Sequence, residues 1–277
     1  MLLRAGKHSL SLDRPHVMGI VNVTPDSFSD GGKFLARDVA IAHARRLIEE
    51  GADIIDIGGE STRPGAATTS LQEELDRVMP VLAAIIGDGV PVSVDTQKPA
   101  VMLAAIKAGV AMINDVSALQ GTGAIEACAA STVAVCLMHR QGSPATMQQA
   151  PAYQDVVAEV TTFLAARSGA CLDAGIERER IVIDPGFGFG KTVEHNFMLL
   201  RKLNSLAALG FPVLAGFSRK ASLGIVTGRG ADERLAASIA AAVLCAQNGA
   251  TILRVHDVRE TVDAIKVLMA VRGQPLN

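Results

Sequence analysis

The sequence contains no tryptophan and a single tyrosine, and aromatic residues make up only 3% of its 277 positions. A core of the size such a chain can bury must then be filled by Ala, Val, Ile and Leu, which suits parallel strands covered by alanine-rich helices. An excess of charge is missing too: 26 basic against 28 acidic residues leave a formal net charge of -2. That excludes a broad electrostatic field for nucleic acid or an anionic lipid surface, so any anion site must be built from a few placed residues. The four cysteines, Cys128, Cys136, Cys171 and Cys245, form no C-x-x-C pair. Each lies in an apolar stretch, so they read as buried thiols rather than disulfides or metal ligands. Neither H-x-H nor H-E-x-x-H occurs, which argues against zinc. The opening MLLRAGKHSL is too short and too broken by charge for a signal peptide. The longest small-apolar stretch, Leu235 to Ala246, falls short of the ~20 residues a membrane span needs. The chain reads as a cytoplasmic protein.

What is present is a repeated pattern. A short β-rich run ends in polar residues, then an amphipathic helical stretch follows, often closed by glycine. The runs are His16–Val23, Asp53–Gly58, Pro91–Asp95, Ala111–Val116, Val133–Met138, Arg180–Asp184, Pro212–Gly216 and Thr251–Val255. The first intervening helix, Arg37–Glu50, is expected to bury Val39, Ala42, Leu47 and Ile48. Strand–helix units in this succession, without a dinucleotide fingerprint after the first strand, predict a closed (β/α)8 barrel of the TIM type in a single domain spanning 1–277. Residues 1–13 precede the first unit and are expected to form a short hairpin across the barrel bottom, with 14–277 forming the barrel.

In such a barrel the site lies at the carboxyl ends of the strands. Those ends carry Asn22, Glu60-Ser61-Thr62-Arg63, Asp95, Asn114-Asp115, His139, Asp184, Ser218-Arg219-Lys220 and Arg254-Val255-His256. Polar strand ends are common singly; polar groups on all of them converge on one mouth. Asp95, Asn114 and Asp184 suit a neutral heterocycle rich in N–H donors, whereas Arg63, Lys220, Arg254 and His256 suit a phosphorylated group. The run from Pro185 to Thr192 fails as a P-loop, because Pro185 stands where the first glycine is required. It reads instead as a sharp turn that brings backbone and Phe189 towards a flat substrate. Thr24–Gly32, with Phe28 inside, predicts a loop that closes over the mouth. His8 and His43 read as surface residues, His195 as lying near a helix start, and His139 as either mouth-lining or structural.

These residues sit in motifs that resemble the dihydropteroate synthase family essentially end to end: GIVNVTPDSFSDGG at 19–32, DIIDIGGESTRPGA at 53–66, VSVDT at 92–96, INDVSAL at 113–119, LMHRQGSPATMQ at 137–148, IVIDPGFGFGKT at 181–192, GFSRKAS at 216–222 and RVHDV at 254–258. The resemblance implies condensation of a dihydropterin methyl diphosphate with p-aminobenzoate to give dihydropteroate and pyrophosphate in folate biosynthesis. It implies that Asp95, Asn114, Asp184 and Lys220 bind the pterin. Thr62, Arg63, Arg254 and His256 take the pyrophosphate end, and Asn22 ligates Mg²⁺. Phe28, Pro64 and Phe189, with Ser218, form the aminobenzoate site where sulfonamides compete in this family. Asp95, Lys220, Arg254 and His256 are then the catalytic set, and a homodimer is the expected assembly, with the small-residue surface of Leu235–Ala246 available to a second subunit.

One departure stands out. The family commonly places a second hydroxyl directly after the lysine of the SRK motif, and this chain has Ala221. That contact to the aminobenzoate carboxylate must come from backbone N–H groups, Ser218 or Ser222. Two rivals share the pterin acceptors: a pterin-dependent methyltransferase domain, which has no need of Asn22, Arg63 and the Arg254/His256 pair, and a catalytically silent pterin-binding paralogue.

Overall fold

The computed structural model describes residues 1–23, 33–61, 68–142, 147 and 150–274. The chain begins with an antiparallel hairpin, β1 (Leu2–Ala5) and β2 (His8–Ser11), in the register Leu2 to Ser11. Alternation along β1 buries Leu3 and Ala5 and exposes Leu2 and Arg4, as expected for a ribbon with one covered face. Eight parallel strands follow: β3 (His16–Asn22), β4 (Ile54–Gly58), β5 (Val92–Asp95), β6 (Met112–Asp115), β7 (Ala134–Met138), β8 (Ile181–Asp184), β9 (Leu214–Ala215) and β10 (Ile252–Val255). Their order is β8-β7-β6-β5-β4-β3-β10-β9, and a parallel bridge from Ile183 to Val213 joins the two ends into a barrel.

The last seam is the thinnest. Sequence pattern predicts a strand over 212–216, but only Leu214–Ala215 pair regularly. Pro212 has no N–H to give, and the Val213 carbonyl is shared between the N–H groups of Thr251 and Ile252 at 2.9 and 3.1 Å. Closure rests on the Ile183 N–H donating to the Pro212 carbonyl at 2.9 Å.

The outer layer consists of α1 (Lys33–Glu49), α2 (Leu71–Ile85), α3 (Pro99–Ala108), α4 (Ala124–Ala129), α5 (Val156–Asp173), α6 (Val193–Arg201), α7 (Leu203–Ala207), α8 (Ala221–Thr227), α9 (Leu235–Gln247) and α10 (Val258–Val271). Local chemistry sets their ends. Ser70 and Glu73 form a reciprocal capping box on α2, Asp155 accepts from Val157 and Ala158 at the start of α5, and Gly109 ends α3 with φ of 96°. The expected buried face of α1 is corrected at two positions: Leu47 is buried and Ile48 packs partly buried against the core as expected, but Val39 and Ala42 do not. Ala40, Ala44 and Leu47 face the core, while Val39 is 41% exposed and Ala42 is exposed too. Small alanines let α1 approach β3 closely, and the neighbouring face with Val39 and Ala42 borders a cavity instead.

Strand alternation divides the core in two. Outward residues such as Val17, Val21, Ile55, Ile57, Val92 and Val94 join the helices in one large apolar cluster. Inward residues of the lower barrel, including Met18, Ile54, Met112, Ala134, Cys136, Val182, Leu214 and Ile252, form a second cluster with Leu3, Ala5 and Leu12 of the hairpin. The hairpin thus plugs the bottom, and Gly6 N–H ties it to the Thr132 carbonyl at 2.9 Å. All four cysteines are free and buried. Burial pushes the Cys128 thiol up to about 12.

Candidate active site

Two residues above that apolar floor, the same strands turn polar. Ile54 is followed inward by Asp56, Met112 by Asn114, Val182 by Asp184 and Ile252 by Arg254. β5 adds Asp95, directly paired with Gly58 on one side and Asn114 on the other. Arg254 is the centre of the group. Its Nε donates to Asp56 Oδ2 at 2.6 Å and its Nη2 to Asp95 Oδ2 at 2.8 Å. Asn114 Nδ2 reaches the same Asp56 oxygen at 3.3 Å. Burial alone would lower the Arg254 pKa, but the carboxylates of Asp56 and Asp95 outweigh it and hold the guanidinium charged. Burial pushes Asp95 up to about 7 even against Arg254. It pushes Asp184 up to about 6, opposed chiefly by the Gly186 N–H that donates to Asp184 Oδ1 at 2.7 Å. A polar ring entering here meets carboxylates poised near neutrality, a setting that favours N–H donors.

The turn after β8 forms one wall. Gly186, Gly188 and Gly190 all have positive φ, and a side chain at Gly186 or Gly190 would run into the His139 or Gln141 carbonyl. The glycine alternation is therefore a requirement of this tight backbone and not a nucleotide loop. Lys191 holds it shut from within. Its buried ammonium donates to the carbonyls of Gly186 at 3.0 Å, Phe189 at 3.1 Å and His139 at 3.3 Å, and contacts His139 Nδ1 at 2.9 Å. Burial lowers Lys191 to about 7, and burial with the neighbouring Lys191 charge lowers His139 to about 3. His139 is accordingly a neutral structural partner. Phe189 packs with Val116, Met138 and Met147, and the Lys220 ammonium lies 4.2 Å from the centre of its ring.

A second wall joins the loops after β9 and β10. Ser218 Oγ and His256 Nδ1 are 3.0 Å apart, and His256 N–H also reaches Ser218 Oγ at 3.3 Å. Burial first, then Arg254 and Arg219, lower His256 to about 3, so it offers neutral imidazole rather than a cation. Arg219, in the left-handed region at φ of 56°, is clamped to Asp257 by two bonds of 3.1 and 2.5 Å. That pair locks the Ser218–Lys220 segment onto the Arg254–His256 segment. Beyond His256 opens a cavity of about 500 Å³ lined by Asn22, His256, Ile20 and the α1 residues Val39, Ala42, His43 and Arg46. His43 is therefore half-buried against the mouth rather than a plain surface residue, and burial followed by Arg46 lowers its pKa.

A strand-end mouth with three acceptors, two cations and this glycine turn has known counterparts. The family model described as pterin binding enzyme matches residues 18–256. A dihydropteroate synthase of Escherichia coli K12 is 51% identical over 98% of this chain and 96% of its own length. The chain belongs to the dihydropteroate synthase family. Solved structures agree throughout their length. The Xanthomonas albilineans dihydropteroate synthase with 4-aminobenzoic acid superposes with a TM-score of 0.93 at 54% identity, covering 99% of each chain. The same enzyme in complex with 7,8-dihydropteroate gives 0.91 at 52% identity, covering 99% of this chain and 100% of that one. Members of the dihydropteroate synthase family are transferases of folate biosynthesis, and this chain is placed among them by sequence and by fold alike.

Of the residues expected from sequence, Asn22, Asp95, Asn114, Asp184, Phe189, Ser218, Lys220, Arg254 and His256 all lie at the strand ends of the barrel or on the loops that leave them. Phe28, Thr62, Arg63 and Pro64, and with them the closing loop, lie outside the described residues. Ser222 is built into the support of the glycine turn: Asn196 spans the Gly188 N–H and Ser222 Oγ at 2.8 and 3.0 Å. Two residues were missed by sequence reasoning. Asp56 is fully buried in the barrel interior, and its signal was a lone carboxylate at an inward position of an otherwise aliphatic strand. Lys191 was given no role from sequence, although a lysine inside an apolar turn must satisfy its charge on backbone carbonyls.

Proposed function

We propose that this mouth binds a dihydropterin methyl diphosphate with its ring inside the barrel and its phosphates towards His256, and joins its methylene carbon to p-aminobenzoate with release of pyrophosphate. The observation that carries the reading is the convergence of Asp95, Asn114 and Asp184, from three strands, around the buried Arg254 guanidinium. A pterin presents amino and ring N–H groups that pair with these acceptors. Loss of pyrophosphate leaves a methylene cation conjugated with the ring, and the nearby carboxylates favour that charge more in the transition state than in the substrate. Lys220, held over Phe189, and Ser218 with His256 stand on the loops after β9 and β10, where the leaving anion and the incoming arylamine would meet. The arylamine is neutral at pH 7, so no strong base is required.

Magnesium is the implied cofactor, and the residues present fit it. A side chain on Gly58 would meet Asn22 Oδ1 at 3.8 Å and, at 3.9 Å, Asp95 Oδ2, which already accepts from Arg254, so Asn22 would be the hard oxygen offered to the ion. Such a sparse set suits an ion that keeps several waters and accepts phosphate oxygens, and the chemistry it supplies is neutralisation of the departing pyrophosphate. With Ala221 in place of the family's hydroxyl, and Ser222 engaged by Asn196 in the support of the glycine turn, the aminobenzoate or sulfonamide end is left to Ser218, which also pairs with His256, and to backbone N–H groups at the start of α8.

The partner we assign is a second copy of this chain. Ile225, Val226, Leu244, Val267 and Val271 on α8, α9 and α10 are 45–81% exposed. No helix among the described residues is long and apolar enough to cross a membrane, and the cytoplasm is the compartment the composition favours. The deciding experiment follows pyrophosphate release from the pterin diphosphate with and without p-aminobenzoate. Release that depends on the arylamine supports the reading; release indifferent to it, or none, overturns it. Sedimentation of the purified chain reads the dimer separately.

A further inference from the structure

We propose that Asp56 is a positioning residue that sets which face of the Asn114 amide the ring-binding pocket sees. The inference rests on the pterin reading above. Asp56 is fully buried, one inward position below Gly58 on β4, and a carboxylate paired with a guanidinium can only accept hydrogen bonds. Its Oδ2 takes Arg254 Nε at 2.6 Å and Asn114 Nδ2 at 3.3 Å. An amide carries its donor and acceptor on opposite arms. With the NH₂ arm committed downward to Asp56, the carbonyl arm is presented to the other side, level with Asp95 on the adjacent strand. Asn114 thereby joins Asp95 and Asp184 as an acceptor, and the pocket selects a ring edge made of N–H groups.

Stability does not account for Asp56. Its second oxygen, Oδ1, is buried without a hydrogen-bond partner, as is Ser93 Oγ, which sits directly opposite it on β5. A carboxylate left half satisfied inside a barrel is a poor stabilising element, and an aliphatic residue like Ile54 below it fills such a position at less cost. The retained carboxylate serves the residues above it. Because one oxygen accepts from both Arg254 and Asn114, the amide of Asp56→Asn keeps that acceptor in place, whereas Asp56→Ala removes it and lets the Asn114 amide turn over freely.

The test is calorimetric binding of two phosphate-free rings, pterin and its 2-oxo counterpart lumazine, to folded wild type, Asp56→Ala, Asp56→Asn, Asn114→Ala and the double variant Asp56→Ala/Asn114→Ala. Asp56→Ala should weaken pterin binding by about tenfold to hundredfold, the cost of one misdirected buried hydrogen bond. It should also narrow the preference for pterin over lumazine, and Asp56→Asn should restore both. In the Asn114→Ala background, Asp56→Ala should add little further loss. Pterin affinity unchanged in Asp56→Ala, or a full additional loss in the double variant, overturns the inference. If Asp56→Ala does not fold, Asp56→Ser withdraws the acceptor from Asn114 in its place. Wild type that binds no pterin would instead sink the functional reading on which the inference stands.

Discussion

The lower and upper halves of the barrel interior are built from the same strands, two residues apart, and differ in almost every physical respect. Below, Met18, Ile54, Met112, Val182 and Ile252 close on the hairpin residues Leu3, Ala5 and Leu12 with no polar side chain required. Above, the Asn114 amide sits among the ionisable groups of Asp56, Asp95, Asp184 and Arg254 in a setting that resists charge, and the cost is visible in the carboxyl groups of Asp95 and Asp184, pushed up to about 7 and about 6 by burial. A parallel barrel can carry this gradient because backbone pairing is indifferent to side chains. The floor supplies folding free energy, and that offsets an unfavourable mouth.

Substitutions can break that division. Arg254→Ala should have the largest effect, because it crosses the boundary between function and stability. It strands Asp56 and Asp95 without their cation, so it should destabilise by about 3–5 kcal/mol and cut turnover by at least about a hundredfold. Denaturant unfolding and steady-state pyrophosphate release check the two parts. A loss of turnover without loss of stability would show that the carboxylates find other partners or take up protons at no cost.

Ile54→Ala tests the floor. Removal of a side chain that is 1% exposed should cost about 2–5 kcal/mol, with turnover per folded molecule near wild type. A comparable fall in turnover would mean that the floor tunes the mouth and the two halves are not separable.

Asp184→Asn sharpens the comparison through pH. The folded pKa of Asp184, about 6, is raised above the unfolded carboxylate value. Its proton therefore stabilises the fold fully below the unfolded pKa, and that contribution is lost as pH rises through about 6. The thermal stability of Asp184→Asn, which can still accept from the Gly186 N–H but has no proton to lose, should therefore rise relative to wild type between pH 4 and pH 7. Melting curves across that range read it, and parallel slopes would remove Asp184 as a contributor. The same variant should weaken pterin binding by calorimetry, since one acceptor arm becomes a donor.

The smallest effect belongs at the base. Arg14 pairs bidentately with Asp53 at 2.6 and 3.0 Å, but it is partly solvated, and Val17 N–H also holds Asp53. Arg14→Ala should cost only ~0.5–1 kcal/mol and leave turnover unchanged, as read by urea unfolding and the same release assay.

Much of this organisation was legible in the residues themselves. Alternation of short aliphatic runs with longer helical segments specifies strand–helix units, because such runs, bounded by polar residues and glycine, are too short for buried helices and suit buried parallel strands. The polar residue closing each run marks the mouth, since strand ends are where a packed barrel meets solvent. Asp95, Asn114, Asp184 and Arg254 could all be named from that rule. Three things were decided only by tertiary structure. Which face of α1 is buried depended on how closely Ala40 and Ala44 let it approach the barrel, so Val39 and His43 came to line a cavity. Whether His256 and Lys191 carry charge depended first on burial in the closed barrel and then on the charges it sets beside them, Arg254 and Arg219 for one and Asp184 and Lys220 for the other. The partnership of Asp56 with Arg254 joins residues 198 positions apart on the two strands that flank β3, and no local pattern encodes it. Sequence determines what each position prefers; only the closed barrel brings those preferences within hydrogen-bonding distance and removes the water that would have screened them.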